Sequence, residues 1–190
     1  WLLENRTHDA GPHDRGADRA ARKIALIVMD DLTPTRLVGA WRYVRWDTTY
    51  DDGRVTHPFA DGATGLILYT ADGYMSASIM APNRPLLTNL NPRKVDAVER
   101  AQAFDGYFSY AGRWRIENGR VIHDVEIALN PSFVGVVQAR EPLFGVDREY
   151  VGTLSLSATE QTAQGRRTHR ILWRRASRAE LDFKHAGKFA

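Results

Sequence analysis

The chain reads as an all-β domain in which roughly eight antiparallel strands close into a barrel, with one short helix inserted. Three observations carry that expectation. Between Leu37 and Ala176, short runs place apolar and polar residues at alternate positions, the period of a strand with one buried face. Turn sequences separate successive runs: "DDG" at 51–53, "ADG" at 71–73 and "NG" at 118–119. Each offers glycine where a tight turn needs a positive φ. Only "RKVDAVERAQAF" (93–104) has helical spacing. Strands that follow one another in hairpins bury their edges best by closing on themselves, and an eight-stranded barrel has room for packed side chains or one small ligand. A β-sandwich is the architectural alternative.

Residues 1–36 read as a polar extension ahead of the barrel. "NRTHDAGPHDRGADR" is too charged and too rich in glycine to order itself by burial. Its neighbour "IALIVM" (24–29) is a short apolar patch before Pro34, compatible with a helical turn or with a docking strand. In "LVGAWRYVRWDTTY", Trp41, Tyr43, Arg45 and Asp47 share one parity, with Arg42, Val44 and Trp46 on the other. Aromatic and β-branched content argues for a strand. "GLILYT" and "YMSASIMA" are the arms of a hairpin. Ile67, Tyr69, Met75, Ala77 and Ile79 form its apolar face, with Tyr74, Ser76 and Ser78 opposite.

A proline-broken loop (81–92) leads into the helix, where Val95, Val98, Ala101 and Gln102 fall at 3–4 spacing. "YFSYAGRWRIE" and "RVIHDVEIAL" flank Asn118-Gly119, the strongest hairpin signal in the chain. "VVQAREPLFGV" (136–146), "GTLSLSAT" (152–159) and "THRILWRRA" (168–176) complete the barrel, which is assigned to residues 37–176. Residues 177–190 are a basic tail.

The 190 residues suffice for one domain with a core, and 43% hydrophobic with 26% charged residues is the composition of a soluble globular chain. No apolar run approaches the ~18–20 residues that span a bilayer, so no membrane partner is expected. Cysteine is absent, which excludes disulfides, thiolate chemistry and cysteine-based zinc sites and fits a cytoplasmic location. The net charge of +3 is concentrated after Gly165. No nucleic-acid module accompanies that basic stretch, so a solvated face is expected rather than a nucleic-acid partner. The histidines at 8, 13, 57, 123, 169 and 185 show no metal-ligand spacing within an element. No glycine-rich loop runs from a strand into a helix, and there is no G-x-S-x-G. Neither a metal nor any other cofactor is expected.

"LVGAWRYVRW", "ATGLILYTADGYMSASIMAPNRP", "AFDGYFSYAGRWRIENGRVIHDVEIALNPSFVGVVQAR" and "ILWRRA" together resemble the bacterial and fungal lipocalin-like domain family over roughly residues 37–176. The most specific pieces are "YTADGYMSA" and "IHDVEIALNPSFVG". The resemblance implies a small closed barrel with a largely apolar pocket. Related barrels in natural-product pathways include cofactor-free cyclases, some acting on polyketide-derived chains. Nothing carries over to the first 36 residues.

Candidate site residues follow from strand parity. In "VIHDVEIALN" the apolar set Val121, His123, Val125, Ile127 and Leu129 should face inward. His123 is then either a buried neutral histidine with one hydrogen bond or a general base or donor in a pocket. Tyr110 and Trp114 lie on the apolar parity of the preceding strand, and Trp173 on that of the last. Their polar tips want partners when buried. His123 and Tyr110 are the catalytic candidates; Trp41, Tyr43, Tyr69, Met75, Trp114, Gln138, Arg140 and Trp173 are the expected ligand contacts. Two functions fit such a lumen. One is a cofactor-independent cyclase or isomerase that folds a hydrophobic, polyketide-like substrate into a reactive conformer under a lid formed by residues 1–36. The other is a carrier that sequesters a lipophilic compound unchanged.

Overall fold

Each alternating run becomes a strand. The computed structural model describes residues 32–146, 151–163 and 165–177. It contains β1 (Gly39–Tyr50), β2 (Val55–Thr56), β3 (Thr64–Tyr69), β4 (Tyr74–Met80), β5 (Tyr107–Glu117), β6 (Arg120–Ala128), β7 (Val137–Val146), β8 (Val151–Thr162) and β9 (Gly165–Arg175). Neighbours pair antiparallel in the order β2-β1-β3-β4-β5-β6-β7-β8-β9, and β1 pairs also with β9. The two-residue β2 merely extends the edge of β1, so eight strands close the antiparallel barrel. A four-residue helix α1 (Pro34–Leu37) precedes β1, and α2 (Ala97–Asp105) is inserted between β4 and β5. No described helix is long and apolar enough to cross a membrane.

The turns follow their chemistry. Asn118 and Gly119 both adopt positive φ (50° and 71°), the two-residue turn that matches strand twist. Closure is reinforced where the last strand meets the first. Arg175 donates to the carbonyls of Val38 (2.7 Å) and Arg36 (2.5 Å) and lies 4.0 Å from the ring centre of Trp41. Pro142 can be tolerated within β7 because β7 pairs with β6 only through Val137–Arg140, leaving the proline opposite β8 alone.

The two ends of the barrel differ. At the closed end, Leu37, Trp41, Tyr69, Met75, Trp114, Val121, Leu154 and Trp173 are buried in one apolar cluster. Trp41 donates its indole N–H to the Leu37 carbonyl (2.9 Å), which ties α1 across that end. At the other end stand α2, the β2–β3 loop and the β6–β7 loop, with Trp46, Phe59, Phe108 and Phe133 in mutual ring contact. The core occupies the closed end and the centre; the aromatic end opens to cavities.

Two bulges redirect side chains from the parity the sequence suggests. In β1 the register with β9 shifts between Tyr43 and Arg45. Trp46 and Thr48 therefore turn inward, where Arg45 and Asp47 would otherwise point. Between β5 and β6 the register shifts at Ala111/Gly112, so Ala128 opposite Tyr110 packs on the core. Ile127, expected inside, is 69% exposed. The helix is also shorter than its spacing suggests. Asp96 caps α2 by accepting from the Glu99 N–H (2.8 Å), so helix begins only at Ala97. Val95 is buried ahead of it, whereas Val98 is 66% exposed. The apolar patch "IALIVM", the lid expected of residues 1–36 except its last five positions, and residues 178–190 of the basic tail lie outside the described residues.

Gly112 marks how tightly β5 and β6 approach at the bulge. A Cβ there would lie 1.9 Å from the Asp124 carbonyl oxygen and 2.9 Å from the Glu126 nitrogen. Backbone atoms cannot yield as a flexible side chain can. Gly112→Ala is expected to lower stability by about 3 kcal/mol or to prevent folding. Gly145→Ala, whose new Cβ would meet nothing closer than Thr153 Oγ1 at 3.7 Å, should stay within about 1 kcal/mol of the parent in urea unfolding. Equal midpoints for the two variants would contradict the close approach.

Candidate functional site

A buried imidazole must satisfy both ring nitrogens, and the barrel supplies a phenol to each. His123 on β6 is fully buried. Its Nε2 lies 2.8 Å from Tyr69 Oη on β3, and its Nδ1 lies 2.9 Å from Tyr110 Oη on β5. Parity brings all three inward, and the small inward-facing residues Ala77 and Gly112 lie between them on the intervening strands. Burial, reinforced by the charge of Arg140, depresses His123 to about 3. The ring is therefore neutral at physiological pH. Burial raises both tyrosines above their ordinary value, with the Arg140 guanidinium pulling the other way.

The neutral ring carries one N–H and one bare nitrogen. The phenol facing the bare nitrogen donates to it. The phenol facing the N–H accepts, and keeps its own O–H proton for a third group. This arrangement makes His123 a poor general base: it is neutral, but both nitrogens are engaged and burial holds its basicity well below that of a free imidazole.

Above this chain, toward the open end, lies a cavity of about 510 Å³. Trp46, Phe108 and Phe133 form its aromatic side, Gln138 and Arg140 project from β7, and Glu160, Arg167 and His169 stand at its rim. Arg140 donates through Nη2 to Gln138 Oε1 (2.9 Å). A second cavity of about 300 Å³ shares Trp46, Phe108 and Phe133 and extends under Phe59 and Phe104. At the rim, the Trp46 indole N–H donates to His169 Nδ1 (3.3 Å), which makes that nitrogen the acceptor. The proton of His169 therefore sits on Nε2 and is donated to Glu160 Oε1 (3.0 Å). Glu160 also pairs with Arg167, and these two partners, His169 first, hold its carboxyl below the usual range.

Sequence reasoning and structure meet at the centre of the barrel. His123, Tyr110, Tyr69, Gln138 and Arg140 come together, and of these Gln138 and Arg140 line the cavity. Trp41, Met75, Trp114 and Trp173 pack the closed end instead. Tyr43 borders a separate groove with Arg42, Gly65 and Arg174. Trp46, Phe133 and His169 were not singled out as contacts. The β1 bulge concealed Trp46, and Phe133 lies in a loop, where alternation carries no signal. His169 falls on the inward parity of Ile171 and Trp173 in the sequence as well, but alternation alone does not mark it as a contact.

The sign of the His123 effect on stability can be worked out. The unfolded chain takes up a proton near 6.5, whereas the folded ring stays neutral down to about 3. Between those values the unfolded state binds the extra proton, so stability falls as pH falls, by about 1.4 kcal/mol per pH unit from this group. Urea unfolding between about pH 6 and pH 4 should show that slope in excess of the slope of His123→Gln, which retains a donor and an acceptor between the phenols. Identical slopes would mean that His123 protonates within the folded barrel.

Residues 38–176 match the family model described as a lipocalin-like domain. Comparison with curated proteins gives no match. Comparison with solved structures gives none either. The family match covers every strand of the barrel, and the closed antiparallel architecture agrees with it. The chain belongs to the lipocalin-like domain family.

Proposed function

We propose that the barrel binds a hydrophobic small molecule at its open end and holds it without chemical change. The observation that carries this reading is the 510 Å³ cavity, aromatic on one side through Trp46, Phe108 and Phe133, with Gln138 and Arg140 as sparse polar groups. Apolar walls with a few placed polar atoms are the general character of small-molecule pockets, and the volume lies in their usual range. The engaged and neutral state of His123 supports binding over proton transfer. A chain without cysteine suits a reducing, cytoplasmic compartment.

A cofactor-independent cyclase or isomerase is the second reading. It is favoured by the Arg140 guanidinium in the cavity wall, backed by the Tyr110 phenol, a donor that could polarise a carbonyl of a folded, polyketide-like chain. A compound that co-purifies with the protein and returns unaltered after incubation supports the carrier. Conversion to an isomer of equal mass supports the enzyme, with Tyr110→Phe then slowing turnover.

Binding itself is testable with a neutral apolar dye such as N-phenyl-1-naphthylamine, followed through quenching of tryptophan emission. Saturable binding is expected, weakened about tenfold by Phe133→Asp, because an ionised carboxylate would stand in the apolar wall. Val134→Asp, at an exposed position of the same loop, should leave affinity unchanged. No saturable binding, or equal affinity in Phe133→Asp, would count against the cavity as the site.

A further inference from the structure

Arg140 differs from the exposed arginines of the barrel wall that pair with acids. Arg113 meets Glu126, Arg115 meets Glu117 and Asp124, Arg120 meets Glu141, and Arg166 meets Asp51. Each of those pairs is solvent-exposed. Arg140 is only 8% exposed, and no carboxylate among the described residues lies within ion-pair distance of it. Its neighbours are the Gln138 amide oxygen at 2.9 Å and the Tyr110 phenol. Glu160, the acid among the described lining residues of the same cavity, is already shared between Arg167 and His169.

A guanidinium offers five donors in a planar fork that suits a carboxylate held by two parallel bonds. Burying such a charge without an anion is unfavourable, and neutral acceptors such as Gln138 and a phenol offset it only in part. The charge also acts on its surroundings: it helps to depress His123 and draws down both Tyr69 and Tyr110. An incoming anion would meet a positive potential in a site screened from water. The aromatic side formed by Trp46, Phe108 and Phe133 leads from this guanidinium toward the second cavity.

Resting on the binding reading above, we propose that the ligand is a carboxylic acid with an apolar body. Its carboxylate pairs with Arg140 in the interior, and its body lies against Trp46, Phe108 and Phe133. Gln138, accepting from Nη2, and the Tyr110 phenol orient the guanidinium and leave its other donors for the ligand.

The test compares dodecanoate with methyl dodecanoate, two probes of nearly equal apolar area that differ in charge. The acid is expected to bind the parent protein at least about tenfold more tightly than the ester. Arg140→Met should abolish that preference by weakening the acid far more than the ester, and Arg140→Lys should retain part of it. Without ligand, Arg140→Met should also raise the urea midpoint, since it removes a buried charge lacking an anion. That readout establishes that the variant folds. Equal affinity of acid and ester, or a preference that survives in Arg140→Met, would overturn the carboxylate assignment while leaving binding intact. Failure of both probes and of the neutral dye would overturn the binding reading and this assignment with it.

Discussion

The structure is organised around a single buried imidazole. His123 lies midway along the barrel, where water cannot reach it, and leaving either of its nitrogens without a partner would cost on the order of 1–3 kcal/mol. Tyr69 and Tyr110 supply those partners from two other strands. Their rings must cross the interior to do so, which is consistent with small residues, Ala77 and Gly112, on the intervening inward positions. The three polar tips thus fix the relative placement of β3, β5 and β6 in a region where aliphatic side chains alone would permit several packings.

This chain also divides the interior. On one side the closed end is filled by Trp41, Trp114, Leu154 and Trp173. On the other, the aromatic residues of the open end enclose space rather than filling it. Gln138, paired directly with His123 across β6 and β7, and Arg140 two residues further on share the boundary between these halves. The polar groups available to a ligand are therefore concentrated at one depth, between a packed floor and an apolar entrance. Fold and proposed site share one cause: polar groups at the centre must be satisfied by one another or by what binds above them.

Much of the fold was legible because strand periodicity and turn chemistry are local. Asn118-Gly119 produces the expected hairpin, and the inward set Phe108, Tyr110, Gly112, Trp114 and Ile116 keeps one parity along β5. Bulges are different. Nothing in "RYVRW" announces that Trp46, rather than Arg45, turns inward, because the extra residue is set by the pairing with β9. The same holds at Ile127 and Ala128. Of the site, His123, Tyr110, Gln138 and Arg140 could be found by parity, but their hydrogen bonds join strands 54 and 13 residues apart in sequence. Single-strand patterns do not contain that information. The helix was overextended for a simpler reason: Asp96 ends the preceding turn and caps the next element, so Val95 and Val98 never share a helical face.

The central claim is that His123 is a neutral, single-tautomer ring clamped between two phenols. Long-range ¹H–¹⁵N NMR of its ring nitrogens, from about pH 8 to about pH 4.5, tests that claim most directly. The account predicts one protonated and one bare nitrogen whose shifts do not move across the range. A ring that titrates near its ordinary value of about 6.5 would contradict it, and would show that water or a mobile proton donor reaches the centre of the barrel.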